Sequence, residues 1–153
     1  MVSCLFRLED LPPAHRPQLL ADLARWVRPG GQILLGLVSQ RSFHDLTERL
    51  RARRGGPRGV EYVLSPDPNI GPFESVDVAD LERQATAAGL RVRDRLGLQA
   101  APEPEELAFR TRNFSPRSKR ATEAVANALA KVANLAPVQR RYGRFQFLRL
   151  ERA

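Results

Sequence analysis

The sequence predicts an α/β fold, a partial and mostly parallel sheet flanked by helices, with helical insertions between its later strands. Three observations lead there. Residues 2–38 run strand, helix, strand with short connections, the pattern of a βαβ unit. The second of those strands, Ile33-Leu34-Leu35-Gly36-Leu37-Val38, is apolar without alternation, as in a strand covered on both faces. A further helix and strand follow at 77–96, and a strong strand closes the chain. At 153 residues the chain can form one domain with its own core.

Taken in order, Val2 to Leu8 reads as the first strand, ended by the turn signal Glu9-Asp10-Leu11-Pro12-Pro13. A helix then runs to about Val27, with Leu19, Leu20, Leu23, Trp26 and Val27 on its inward stripe. Arg25 and Arg28 suit the negative end of its dipole, and Pro29-Gly30-Gly31 stops it. After the second strand, 42–52 predicts a short helix with Ser42 as N-cap and Phe43, Leu46 and Leu50 on one side. Four glycines and four prolines make 55–74 a loop. A helix over about 77–88 turns Val78, Leu81, Ala85 and Ala88 inward and ends at Gly89. Leu90 to Leu96 alternates as a strand, and 99–115 reads as loop. Ser115-Pro116 opens a helix to about 135 whose stripe is Ala121, Val125, Leu129, Val132 and Leu135. Phe145 to Leu150 is the closing strand.

Composition narrows the function classes. The 42% apolar and 27% charged content is that of a globular domain. No apolar run approaches the roughly 20 residues that span a bilayer, so an integral membrane protein is not expected. Arg7, Glu9 and Asp10 interrupt the first apolar stretch too early for a signal peptide. One cysteine, Cys4, allows no internal disulfide, suits a reducing cytoplasm and reads as a buried thiol. The net charge of +8 invites a nucleic-acid reading. Yet 23 of the 25 basic residues are arginines spread over every segment, and the cluster Arg49, Arg51, Arg53, Arg54 and Arg58 reads as a solvated helix end. That distribution argues against nucleic acid as the partner. His15 and His44 stand 29 residues apart without further ligands at metal spacing, so no metal site is expected. Ser39 follows a strand but lacks the glycines of a nucleophile elbow.

The segment Leu20-Ala21-Asp22-Leu23-Ala24-Arg25-Trp26-Val27-Arg28-Pro29-Gly30-Gly31-Gln32-Ile33-Leu34-Leu35 resembles the helix, proline–glycine turn and fifth strand of the class I S-adenosylmethionine (SAM) dependent methyltransferases. Met1 to Asp10 is similar to that family's fourth strand, and Leu81 to Val92 to its later helix and the start of the sixth. Phe145 to Glu151 is similar to the antiparallel seventh. The resemblance covers most of the chain and implies the C-terminal half of a Rossmann-like sheet, with strands 4, 5 and 6 and antiparallel 7. It also implies a single domain over 1–153 in which 40–74 and 99–143 form a lid over the methyl acceptor. The family's glycine-rich turn after the first strand has no counterpart, since Gly55-Gly56-Pro57-Arg58-Gly59 follows a helix and not a strand. Three βα units, about 100 residues, normally precede the fourth strand. The expectation is therefore a truncated product, a misassigned start codon or one piece of a two-chain assembly.

The family's cofactor is SAM, and the end of the fourth strand borders it, which brings Ser3, Phe6 and Arg7 to the cofactor. Ser39, Phe43 and His44 follow the fifth strand, near the acceptor, and His44 is the candidate general base, with a pKa near neutrality. The function implied is methyl transfer to a small or lipid-like acceptor, with the 153 residues inactive alone. Two other readings stay open. One is a non-catalytic methyltransferase-like module that self-associates or binds a partner chain through the open edge at 2–8. The other is an arginine-rich nucleic-acid binder.

Overall fold

The computed structural model describes residues 1–6, 8–42 and 75–153. The predicted helix at 42–52 and loop at 55–74, with Arg7, Phe43 and His44, fall outside or almost wholly outside the described residues. The first strand, β1, is Val2–Leu5, shorter than the predicted 2–8. Helix α1 follows at Arg16–Trp26, then β2 at Gln32–Val38. Beyond residue 75 come α2 (Val78–Ala87), β3 (Leu90–Leu98), α3 (Pro104–Thr111), α4 (Pro116–Ala133), α5 (Ala136–Tyr142) and β4 (Phe145–Arg152).

These strands form one mixed sheet in the order β1-β2-β4-β3. β1 runs parallel to β2, with Cys4 opposite Leu35. β4 is antiparallel to both its neighbours, and it places Leu148 between Leu35 and Arg95. The three remaining strands therefore share one direction. One sheet face carries Ile33, Leu35, Leu37, Leu148 and Leu150, all fully buried beneath Leu20 and Leu23 of α1 and Val78, Leu81 and Ala85 of α2. Asp77 caps α2 by accepting from the backbone N–H groups of Ala79 and Asp80 at 2.9 and 3.3 Å. Gly30 and Gly89, at φ +73° and +78°, make the two helix-to-strand turns that an L side chain would strain.

Four expectations need correction. Trp26 is 70% exposed, because the buried stripe of α1 is Leu20, Leu23 and Ala24, continued by Val27 just beyond the helix, and Trp26 lies at its margin. The segment 99–115 is not all loop. Pro104 with Glu105 and Glu106 starts a helix in the manner dipole and proline geometry favour, and Leu107 and Thr111 bury its inner side. On α4 the expected stripe faces outward, with Val125 at 58% and Val132 at 47% exposure, and Leu135, which lies beyond the helix, at 56%, while Ala126 and Ala133 make the buried contacts. Small residues let the helix approach closely, which outweighs the placing of its larger side chains. Cys4 is only half-buried.

The alternation of β3 is also broken, by a bulge at Arg93 between the pairs Val92–Leu150 and Asp94–Arg149. One extra residue inverts the side-chain order beyond it. Arg95 thus joins Val92 on the helix-covered face, and Leu96 and Leu98 turn to the other, 57% and 44% exposed. Arg93 is held outside by a bidentate pair with Glu151, at 2.9 and 2.8 Å.

Candidate functional site

In open α/β sheets the carboxyl ends of parallel strands are where ligands bind. Here the ends of β1 and β2 bring together Leu5, Phe6, Glu9 and Ser39. Phe6 turns the chain out of β1 at φ +53°, an unusual conformation for a bulky residue, while its N–H donates to the Gly36 carbonyl at 2.7 Å. Its ring stands edge-on to Phe145 and Phe147, with centroids 5.7 and 5.8 Å away. Edge-to-face contact of this kind fixes a ring while leaving one side free. Phe6 is 39% exposed and Leu5 44%, so an apolar surface opens at the strand end.

Ser3 lies on β1 opposite Leu34, exposed but inside the strand and two positions short of its end. Ser39 has no exposure. Its N–H donates to the Arg144 carbonyl at 2.8 Å, and its Oγ accepts from the Arg41 N–H at 3.1 Å, which is a structural role. Of the six residues expected at cofactor and acceptor, Ser3 lies in β1, Phe6 directly after it and Ser39 directly after β2, while Arg7, Phe43 and His44 lie outside the described residues. Among the described residues, no group of His, Cys, Asp or Glu could hold a metal ion. No described helix is long and apolar enough to cross a membrane.

Glu9 was missed by sequence reasoning, where it counted only as turn punctuation. It is 5% exposed, and one carboxylate oxygen accepts from the Val38 N–H, tying the turn after β1 to the end of β2. The other oxygen, Oε2, is buried without a hydrogen bond. Burial pushes the carboxyl above its ordinary value of 4.5; the bonds from the Val38 N–H and its own N–H oppose this, Asp10 adds to it and the Arg16 charge opposes it. A raised folded-state value means the protonated form favours the fold. That stability is fully present below about pH 4.5 and is lost as pH rises through the raised value. Glu9→Gln keeps an acceptor for Val38 and removes the titration. The variant should hold its urea midpoint as pH rises from 4 to 8 while the parent falls; identical profiles would show a carboxylate that stays hydrated in solution.

No protein-family model matches the chain, and no curated protein matches it either. Solved structures align along nearly its whole length. One is a cyclopropane synthase from Mycobacterium tuberculosis, with TM-score 0.48 and 16% identity over 98% of this chain and 54% of that one. Another is geranyl diphosphate C-methyltransferase from Streptomyces coelicolor, solved with S-adenosyl-L-homocysteine (SAH), with TM-score 0.44 and 10% identity over 99% and 46%. A third is a phosphoethanolamine N-methyltransferase from Haemonchus contortus in complex with SAM, with TM-score 0.45 and 11% identity over 98% and 32%. The chain thus spans about half the length of such proteins, or less.

Proposed function

We propose that the chain is the C-terminal half of a SAM-dependent methyltransferase fold and serves methyl transfer to a small or lipid-like acceptor. The observation that carries this reading is the strand order β1-β2-β4-β3, with one antiparallel strand set between two of common direction. It supports the resemblance read from Arg28-Pro29-Gly30-Gly31 and the elements around it.

In this reading the cofactor supplies an activated methyl group, and the chain supplies one side of its site. Phe6 and Leu5 offer an apolar wall to an adenine-sized ring, Ser3 is a polar contact on the same strand, and the resemblance adds Arg7 to the cofactor contacts. That surface fits part of such a ligand. The backbone cradle for its remainder belongs to the glycine-rich element, which has no counterpart in this sequence. His44 takes the proton released by the acceptor, and the insertions 40–74 and 99–143 shield the reacting groups from water. Turnover requires the missing element.

The test is titration of the chain with SAH, read by NMR. Saturable shifts of the Ser3, Leu5 and Phe6 resonances are expected, with weak affinity near 1 mM, about −4 kcal/mol. Resonances that stay fixed throughout would leave the second reading, a non-catalytic interaction module. A specific observation favours that alternative: Leu5, Phe6, Leu96 and Leu98 are all exposed on the sheet face away from α1 and α2, and Leu5 and Phe6 adjoin β1, whose outer edge pairs with no strand among the described residues. An exposed apolar face that adjoins an unpaired strand edge suits a partner chain or a second copy.

A further inference from the structure

A cleft of about 400 Å³ opens on the other side of the sheet, lined by Arg41, Ala79, Arg95, Pro137, Arg140 and Arg141. Four guanidinium groups from three separate parts of the chain converge there. Arg41 follows β2, Arg95 comes from β3 through the bulge, and Arg140 and Arg141 ride on α5. Two carboxylates answer them. Glu82 lies 3.7 Å from Arg95, and Asp94 pairs with Arg140 at 2.7 Å. Neither Arg41 nor Arg141 pairs with a carboxylate among the described residues; Arg141 lies over the Tyr142 ring at 5.5 Å. Two positive charges are left over within one small concavity.

Two of the four arginines are anchored. Arg95 donates through Nε to Oε1 of the fully buried Gln146 at 2.8 Å, and Gln146 donates in turn to the Gly143 carbonyl at 2.8 Å. Arg140 donates to the Arg95 carbonyl at 2.8 Å. Burial lowers the Arg95 pKa below its ordinary value, Glu82 opposes that, and the neighbouring Arg41 and Arg140 deepen it. Like charges held this close on a rigid frame cost free energy that an anion would relieve.

We propose that this cleft binds the phosphate group of a small phosphorylated molecule, with Arg41, Arg95, Arg140 and Arg141 as donors. The surplus of two positive charges matches a phosphate, which carries about −1.5 to −2 at neutral pH. Planar guanidinium groups also meet its oxygens in bidentate fashion. The volume is that of a small-ligand site, and the arginines gather in a concavity where a nucleic-acid backbone would need a stripe. The cleft adjoins the end of β2 through Arg41, whose N–H donates to Ser39, but its anion-binding arginines do not include Leu5 or Phe6, so binding of an anion there is read independently of SAM.

Titration calorimetry of the full chain with inorganic pyrophosphate tests this. Saturable binding is expected, and Arg41→Ala and Arg141→Ala should each weaken it about tenfold or more. Both side chains are exposed, so unchanged thermal melting should accompany the loss. Arg28→Ala, an exposed arginine on the turn before β2, serves as the control and should bind as the parent does. The proposal is overturned if the parent shows no heat of binding, or if all three variants bind alike. Tighter binding of a single-stranded oligonucleotide than of pyrophosphate, with a steep salt dependence, would also overturn it in favour of a nucleic-acid surface.

Discussion

Replacing Leu148 by alanine is expected to lower stability by about 2–5 kcal/mol. The residue is fully buried in β4, flanked by Leu35 of β2 and Arg95 of β3, with strands on both sides and helices above. Truncation removes transfer free energy and leaves a cavity, and a strand paired along both edges has little freedom to collapse into it. For a chain of this size the thermal midpoint should fall by roughly 5–15 °C. Leu148→Met, which preserves volume, should cost less than about 1.5 kcal/mol. Equal losses in the two variants would mean that packing around β4 is looser than its burial implies.

Gly97→Ala is expected to act through backbone and not through a cavity. A Cβ at Gly97 would lie 1.7 Å from the carbonyl oxygen of Gln139 and 2.7 Å from the Gln146 amide nitrogen. Since the closest atom belongs to the backbone of α5, no rotamer change can make room, and the helix must move off β3. Overpacking of this kind typically costs about 1–3 kcal/mol. Because α5 carries Arg140 and Arg141, the same substitution should abolish pyrophosphate binding even at temperatures where the variant remains folded. Gly89→Ala provides the contrast. Nothing lies within 4 Å of its missing Cβ, so only its φ of +78° opposes the change, and the cleft should be untouched. Retained pyrophosphate affinity in folded Gly97→Ala would show that α5 does not set the position of those arginines.

Much of the fold was legible because its decisive residues act locally. The run Ile33 to Val38 is apolar enough to name itself a covered strand, and Pro29-Gly30-Gly31 fixes the turn before it. Asp77 and Gly89 mark both ends of α2. What stayed hidden depends on partners distant in sequence. The bulge at Arg93 has no local signature, and it decides that Arg95 and not Leu96 turns toward the helices. Likewise, no periodicity separates a large-residue stripe that faces solvent from a small-residue stripe that packs, so α4 was read the wrong way round. The candidate site divides in the same way. Phe6 was placed at the strand end from the resemblance, but Glu9 reads as an ordinary turn residue until Val38, 29 positions later, is seen to donate to it. The arginine cleft was invisible for a related reason: its members are scattered over 101 positions among many other arginines.

The position of β4 has a bearing on how the polypeptide is made. Among the described residues β3 pairs with β4 alone, and β4 is synthesised after β1, β2 and β3. While the ribosome is still translating, β1 and β2 can zip together with α1 laid over them, but β3 has nothing to join. The nascent chain therefore leaves unpaired the two edges that β4 later joins, one on β2 and one on β3, until residues 145–152 clear the exit tunnel. Domains generally fold as units during synthesis, and unpaired edges are what chaperones shield and what aggregates recruit. Closure of this sheet waits on β4, so a ribosome stalled before Phe145 holds β2 and β3 without the strand that joins them.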